Sequence, residues 1–595
     1  MNLKKKVVTR TKQIQFKGIP AAPGIAIAKA HIFGTEEIMP REHKLEDKEV
    51  PKEIERFKEA LKQTKREIIA IEKRISKEIG IEHGKIFNAH LLVLEDSVLV
   101  QEVIAKLKKR KKNIESVFAN VLNRYINVLS EASDEYLRDR ISDITDVGRR
   151  ILRNLSGAEE KSLEELKEES IVVAYDLSPS DTAMMHKGHV LGFITDIGGR
   201  TSHTAIMAKS LEIPAVVGLE VITDVVKNGD YIIVDGIHGV VVVNPTKKIL
   251  AKYREEKKRY EVLEHELVEL KTLPSQTLDG KKVIVAGNIE LPEDVVSVLS
   301  HGAQGIGLYR TEYFYMNRRD LPDEEEQFNA YKSVAMRIKS ECVVVRTLDL
   351  GGDKFLSQLD IPKEMNPFLG WRAIRYCLAR PAVFKTQLRA ILRASVYGNL
   401  KLMYPMISGV GEFRQANVLL EEAKNELREK NIPFNDKISV GAMIEVPSAA
   451  ITSDVLAKEA DFFSIGTNDL IQYLLAVDRV NEKIAYLYEP THPAVLSLIK
   501  AVIDNGHKEG IPVALCGEMA GDVSLTMILL GLGLDEFSTS PIAVPEIKKI
   551  IRSVSFKEAK EIAEKALEFT TGKKVQDFAR NKLRKIVPEM ATNFE

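Results

Sequence analysis

From Gly280 onward the chain alternates short apolar runs with helix-length segments, and this rhythm limits the fold more than any other feature of the sequence. The runs span 283–286, 305–308, 343–345, 400–403, 440–444, 462–465, 512–515 and 536–538. Apolar runs this short, separated by helix-sized stretches, imply parallel strands joined by helical crossovers. Eight of them in roughly 300 residues predict a (β/α)8 barrel of the TIM type. In such a barrel the C-terminal ends of the strands carry the active site. The positions after these runs are polar and unlike one another: Asn288, Arg310, Arg346, Glu445, Asn468 with Asp469, Cys516 and Ser540. A purely structural explanation does not produce a different polar group at nearly every strand end.

The N-terminal half follows other rules. Residues 14–33 read as strands with a turn at Ala22-Pro23-Gly24. From Pro51 to about Leu155 the chain is dense in Lys, Glu, Leu and Ile and poor in Gly and Pro. There Ile54, Phe57, Leu61, Ile68, Ile71 and Ile75 fall on three- and four-residue steps, with Thr64 filling a gap, which predicts a helical seam. Residues 170–244 return to short β runs, and 245–270 form a charged helical connector. The opening strands can rejoin the later α/β unit, which makes the helical region an insertion. The expected fold is multidomain α/β. An α/β domain (1–36 and 156–245) carries an all-α subdomain (37–155) and is followed by a linker helix (246–275) and the barrel (276–595).

Lys plus Arg and Asp plus Glu both total 86 in 595 residues, so no overall charge draws the chain to nucleic acid or an anionic membrane. No stretch approaches the ~18 consecutive apolar residues of a membrane span. The basic start (Lys4, Lys5, Lys6, Arg10, Lys12) lacks the apolar core of a signal peptide. A soluble cytoplasmic protein without membrane insertion is expected. Cys342, Cys377 and Cys516 are far apart and form no Cys-x-x-Cys pair, which speaks against a disulfide framework or a zinc cluster.

Four constellations carry chemistry. In Gly198-Gly199-Arg200-Thr201-Ser202-His203-Thr204 an apolar run leads through glycines into a helix start, with Thr201 or Ser202 as N-cap. His203 then lies in the first turn, where free N–H groups and the helix dipole favour phosphate and keep the ring neutral and nucleophilic. Arg200 adds positive charge. Arg310, Arg346, Arg372 and Arg479 suit a substrate bearing both phosphate and carboxylate, since guanidinium binds either oxyanion in bidentate fashion. Glu445 and Asp469, both at strand ends, form a pair of the kind that holds Mg²⁺, and Asn468 can bind substrate oxygens. Cys516, a thiol of ordinary pKa about 8.5, can deliver a proton to an enolate carbon.

Together these residues resemble the Enzyme I family, the phosphoenolpyruvate–protein phosphotransferases of the bacterial sugar phosphotransferase system. The resemblance covers nearly the whole chain, from Gly18-Ile19-Pro20-Ala21-Ala22-Pro23-Gly24 to Ser538-Thr539-Ser540-Pro541. Its most specific blocks are the phosphohistidine signature around His203 and Ser464-Ile465-Gly466-Thr467-Asn468-Asp469-Leu470-Ile471-Gln472, continuing to Arg479. The block from Asn366 to Arg372 and the Gly517-Glu518-Met519-Ala520 segment match as well. It implies that phosphoenolpyruvate phosphorylates His203 and leaves as pyruvate, and that His203 passes the group to the phosphocarrier protein HPr. Arg310, Arg346, Arg372, Arg479, Asn468 and Asp469 would bind phosphoenolpyruvate, Glu445 and Asp469 would hold Mg²⁺, and Cys516 would protonate the enolate. Thr182 would accept the Nδ1 proton of His203 on its carbonyl, with Gly199 and Arg200 in support. The helical region would dock HPr, the segment from His90 to Asp96 among its docking helices, and the barrel would form a homodimer. Hinges near 158–169 and 247–272 would let the histidine unit swivel. The Lys-rich start precedes the family's usual beginning by about a dozen residues and leaves the signatures intact.

Two other readings use the same residues. A pyruvate phosphate dikinase or phosphoenolpyruvate synthase shares the histidine unit and the barrel but needs an ATP-binding module. The segment before the histidine unit is helical and charged, with no Gly-rich phosphate loop. A non-catalytic phosphoenolpyruvate sensor would not need His203, Glu445, Asp469 and Cys516 intact.

Overall fold

A computed structural model describes residues 13–591 except 34–41, 79–89, 92, 95–96, 131–134, 158–162, 164–165, 167, 178–180, 182–188, 200–203, 205–207, 209–212, 316–319, 340, 351–363, 480 and 482. The chain divides into two compact units, Met1–Val262 and Leu263–Glu595. The division falls inside the predicted connector, a helix over Lys247–Leu270.

The first unit contains an eight-stranded mixed sheet: β1 (Ile14–Lys17), β2 (Ile19–Ala22), β3 (Ile25–Phe33), β4 (Ser170–Ala174), β5 (Val190–Thr195), β6 (Ala215–Val217), β7 (Tyr231–Asp235) and β8 (Val240–Val243). The strand order is β1-β8-β7-β3-β4-β5-β6-β2. β1 and β2 lie at opposite edges although only Gly18 separates them, so the sheet must curl until its edges approach. A Cβ at Gly18 would lie 2.7 Å from both the Val217 carbonyl and a Val216 methyl, which leaves room there for glycine alone. β6 was not expected from the sequence: three residues after Pro214 are too short a run to show a period of two.

The helical region is inserted between β3 and β4, as the pattern implied. It comprises α1 (Val50–Glu78), α2 (Ser97–Arg110), α3 (Ile114–Ser130) and α4 (Glu135–Ser156). The seam of α1 buries Phe57 and Ile68 against Val103, Phe118, Val121 and Ile151. Ile75 lies on α1, but its side chain is outside the described residues. Thr64 completes the seam without stranding its hydroxyl, which donates to the Ala60 carbonyl at 2.8 Å and accepts from Asn154 at 2.9 Å. Arg56 ties α1 to α3 and α4 through Glu115 at 2.6 Å and the Leu155 carbonyl at 2.8 Å.

The second unit is a closed parallel barrel of β9 (Ile284–Ile289), β10 (Ile306–Tyr309), β11 (Val343–Arg346), β12 (Leu400–Tyr404), β13 (Ser439–Ile444), β14 (Phe462–Ile465), β15 (Val513–Leu515) and β16 (Glu536–Thr539). All eight expected runs become its strands. Side chains alternate: Val343, Val345, Phe463 and Ile465 pack outward under the helices, while Leu308, Val344, Met403, Met443, Phe462 and Cys516 fill the interior. Asn288 was expected after its strand and lies within β9 instead, because pairing with β10 carries the ladder one residue past it, to Ile289. Among the described residues no helix is long and apolar enough to cross a membrane.

Candidate active site

The strand ends of the barrel converge on one cavity of roughly 460 Å³. Arg310, Arg346, Arg372, Arg479, Glu445, Asn468, Asp469 and Cys516, singled out from the sequence, all line it. Each is placed by its element. Arg346 ends β11, and Arg310 follows β10 with its backbone N–H on the Ile289 carbonyl at 2.9 Å. Glu445 follows β13, and Asn468 and Asp469 lie in the first turn of the helix Thr467–Leu475. Cys516 follows β15. Arg372 directly precedes the helix Ala373–Ala379.

Carboxylates hold the arginines in place. Arg346 contacts Glu312 and reaches Asp349 at 2.9 Å, while Arg372 donates to the other oxygen of Asp349 at 2.7 Å and lies 3.3 Å from Asp469. Arg310 bonds Glu290 at 2.8 Å at the rim, and Arg479 lies between Asp469 at 3.9 Å and Glu518 at 3.7 Å. Asn468 is oriented by the Glu518 backbone N–H, which donates to its Oδ1 at 2.8 Å. Tyr473 accepts from Arg372 at 3.4 Å and donates to the Phe368 carbonyl at 2.6 Å. Two non-glycine residues beside the site, Ala373 and Met406, adopt left-handed backbone with φ of 52° and 55°. Such conformations persist where surrounding structure imposes them.

The protonation pattern follows from burial. Burial, reinforced by Asp469 and Asp349, pushes the Glu445 carboxyl up to about 8 despite Arg346 and Arg372. Its Oε1 accepts the Met406 backbone N–H at 2.6 Å. Burial also opposes ionisation of Asp349, but Arg346 and Arg372 hold its carboxyl below the ordinary value. Burial raises the Cys516 thiol to about 11, above the 8.5 expected from sequence, so it carries its proton at neutral pH.

The histidine unit is described only in part. Thr182, Arg200 and His203 lie outside the described residues, as does most of the segment joining them. What frames the segment is clear. β5 leads to Gly198, at φ 123°, and to Gly199, where a Cβ would meet nothing within 4 Å. Beyond it, Thr204 is buried and donates to the Leu177 carbonyl at 2.9 Å.

Known proteins cover the whole of this arrangement. Phosphoenolpyruvate-protein phosphotransferases of Haemophilus influenzae, Geobacillus stearothermophilus and Staphylococcus carnosus are 49%, 48% and 46% identical over 565, 563 and 563 residues, which is 94–95% of this chain and 97–98% of theirs. The chain belongs to the phosphoenolpyruvate–protein phosphotransferase family. Three models of phosphoenolpyruvate-utilising enzymes match it in succession: the N-terminal region over 17–140, the mobile domain over 166–239 and the phosphoenolpyruvate-binding domain over 264–556.

In this family member the sequence reading overlooked Asp349, Glu312 and Tyr473. Asp349 is the most consequential, since it spans two of the four arginines. Its signal was its place three residues beyond Arg346 in Arg346-Thr347-Leu348-Asp349, in the loop after a barrel strand. The carboxylates can hold a hard divalent cation. Glu445 and Asp469 offer oxygen donors, their mutual repulsion adds to the burial that raises Glu445, and a Cβ at Gly466 would lie 2.7 Å from Glu445 Oε2. The glycine thus keeps space open beside that oxygen.

Proposed function

We propose that this chain performs the first step of the sugar phosphotransferase system: it moves the phosphoryl group of phosphoenolpyruvate to its own His203 and then to a histidine of HPr, releasing pyruvate. The observation that carries this reading is the cavity where four arginines face buried carboxylates and a protonated thiol. Arg310, Arg346, Arg372 and Arg479, with Asn468, meet the phosphate and carboxylate of the substrate. Glu445 and Asp469 would hold Mg²⁺, which would supply charge neutralisation to the phosphoryl group. Neutral His203 attacks phosphorus through Nε2, the bond from phosphorus to the enol oxygen breaks, and the enolate takes a proton on carbon from Cys516. The Nδ1 proton of His203 rests on the Thr182 carbonyl, and Gly199 and Arg200 shape the turn before it. Such transfer relies on positioning and charge stabilisation.

The α/β domain of 1–36 and 156–245 carries the histidine, the helical subdomain of 37–155 docks HPr, 246–275 is the linker, and the barrel of 276–595 binds phosphoenolpyruvate and forms the homodimer. The protein works in the cytoplasm. Incubation of the full chain with labelled phosphoenolpyruvate and Mg²⁺ places acid-labile label on His203, and His203→Ala abolishes it. Label retained by His203→Ala, or label delivered by ATP, would overturn the assignment.

A further inference from the structure

Cys516 is clamped from two sides. Its backbone N–H donates to the Ile465 carbonyl at 3.1 Å, and its own carbonyl accepts from Asn288 Nδ2 at 3.2 Å. Asn288 is fixed in turn by the Ser538 hydroxyl at 2.5 Å. The thiol lies 3.7 Å from the Ile465 carbonyl. Below it, β14 and β15 run parallel with Ser464 opposite Ala514 and Ile465 opposite Leu515. Phe462 faces the barrel interior and Phe463 and Ile465 face outward, so alternation turns Ser464 inward. Ser464 therefore lies one layer beneath Cys516 on the neighbouring strand.

The Ser464 hydroxyl is buried and makes no hydrogen bond to nitrogen, oxygen or sulfur among the described residues. A buried hydroxyl left idle is unfavourable, which makes one with a role the better reading. From one layer beneath, the Ser464 O–H can turn to the Cys516 sulfur and favour the thiolate, with Arg346 and Arg310 acting the same way through charge and Glu445 opposing them. Of the apolar floor, Leu308, Val344, Met403, Met443 and Phe462 carry no donor, and Cys342 brings only a weak S–H.

Resting on the reading of Cys516 as the acid, we propose that Ser464 is a positioning residue for enolate protonation, its O–H turning to the sulfur as the thiol gives up its proton. The balance is simple. The S–H bond breaks and its electron pair stays on sulfur, while the enolate π pair forms the new C–H bond of pyruvate. The thiolate accepts the Ser464 O–H as a hydrogen bond, and water restores its proton after pyruvate leaves. Without the hydroxyl the thiolate sits on an apolar floor, and Cys516 becomes the weaker acid.

The test is alkylation of the full chain by iodoacetamide across a pH series, read at Cys516 by peptide mass spectrometry so that Cys342 and Cys377 are counted apart. In Ser464→Ala the midpoint should rise by about one pH unit. The rate near pH 9 should fall about threefold, since a tenfold smaller thiolate fraction is partly offset by a more nucleophilic sulfur. Ser464→Thr, which keeps the hydroxyl, should restore both. The kcat for pyruvate release should fall about threefold in Ser464→Ala with KM for phosphoenolpyruvate unchanged. Alkylation of Ser464→Ala at or above the wild-type rate, or Ser464→Thr as slow as Ser464→Ala, would overturn the proposal. Steric opening by the smaller side chain can only speed alkylation, so it cannot mimic the expected result. Wild-type chain that takes no label on His203 would defeat the functional reading instead, while the alkylation series would still report on the serine and cysteine pair.

Discussion

Replacing Glu445 by Gln should make the barrel more stable at alkaline pH while removing activity. The Glu445 carboxyl rises from an ordinary value near 4.5 to about 8, through burial first and then through Asp469 and Asp349. A carboxyl with a higher pKa in the folded chain than in the unfolded one binds a proton that the unfolded chain has already lost. Its contribution is therefore constant below about pH 4.5, declines as pH rises, and is fully lost above about pH 8. At about 1.4 kcal/mol per pH unit the ceiling is about 5 kcal/mol. Relaxation and the loss of attraction to Arg346 and Arg372 reduce the gain of Glu445→Gln to roughly 2 kcal/mol at pH 9, and to none at pH 4.5. The amide can still accept the Met406 N–H, so the backbone contact survives. The assay is built into the chain: Trp371 is its single tryptophan and packs on Tyr376 in the barrel with ring centroids 5.1 Å apart. Its fluorescence follows the barrel transition alone. Added Mg²⁺ should stabilise the wild-type chain at pH 9 and leave Glu445→Gln unmoved. A Glu445→Gln barrel that melts below wild type at pH 9, or responds equally to Mg²⁺, would refute the reasoning.

Other outcomes follow from single contacts. Phe57→Ala empties a fully buried site packed on Phe118 and should cost about 3–5 kcal/mol, lowering a helical transition seen by circular dichroism while the Trp371 transition stays in place. That variant should keep label transfer to His203 and lose transfer onward to HPr. Gly517→Ala would put a Cβ 2.0 Å from Thr467 Oγ1 and 2.9 Å from Asn468 Oδ1, and the displaced Asn468 should raise KM for phosphoenolpyruvate about tenfold in steady-state assays. Arg389 joins Glu324 at 2.6 Å to Glu426 at 2.7 Å across three barrel helices; Arg389→Met should cost about 1–2 kcal/mol by Trp371 melting, and less at high salt.

The eight barrel strands, the inserted helical region and the eight cavity residues from Arg310 to Cys516 were all legible in the sequence. Each of these is written locally, in an apolar run of strand length, a three- and four-residue seam, a polar residue where a strand stops, or, for Arg372 and Arg479, a short sequence block. β6 escaped because three residues carry no period, and Asn288 was misplaced because ladder pairing with β10, not the local run, sets where β9 ends. Folding sets Asp349 between Arg346 and Arg372, pushes Glu445 up to about 8 and puts Ser464 under Cys516. These are through-space facts. Coulomb energy and desolvation depend on distance and burial, and barrel closure brings together residues far apart in the chain, such as Arg372 and Asp469, at separations that no spacing along the sequence encodes.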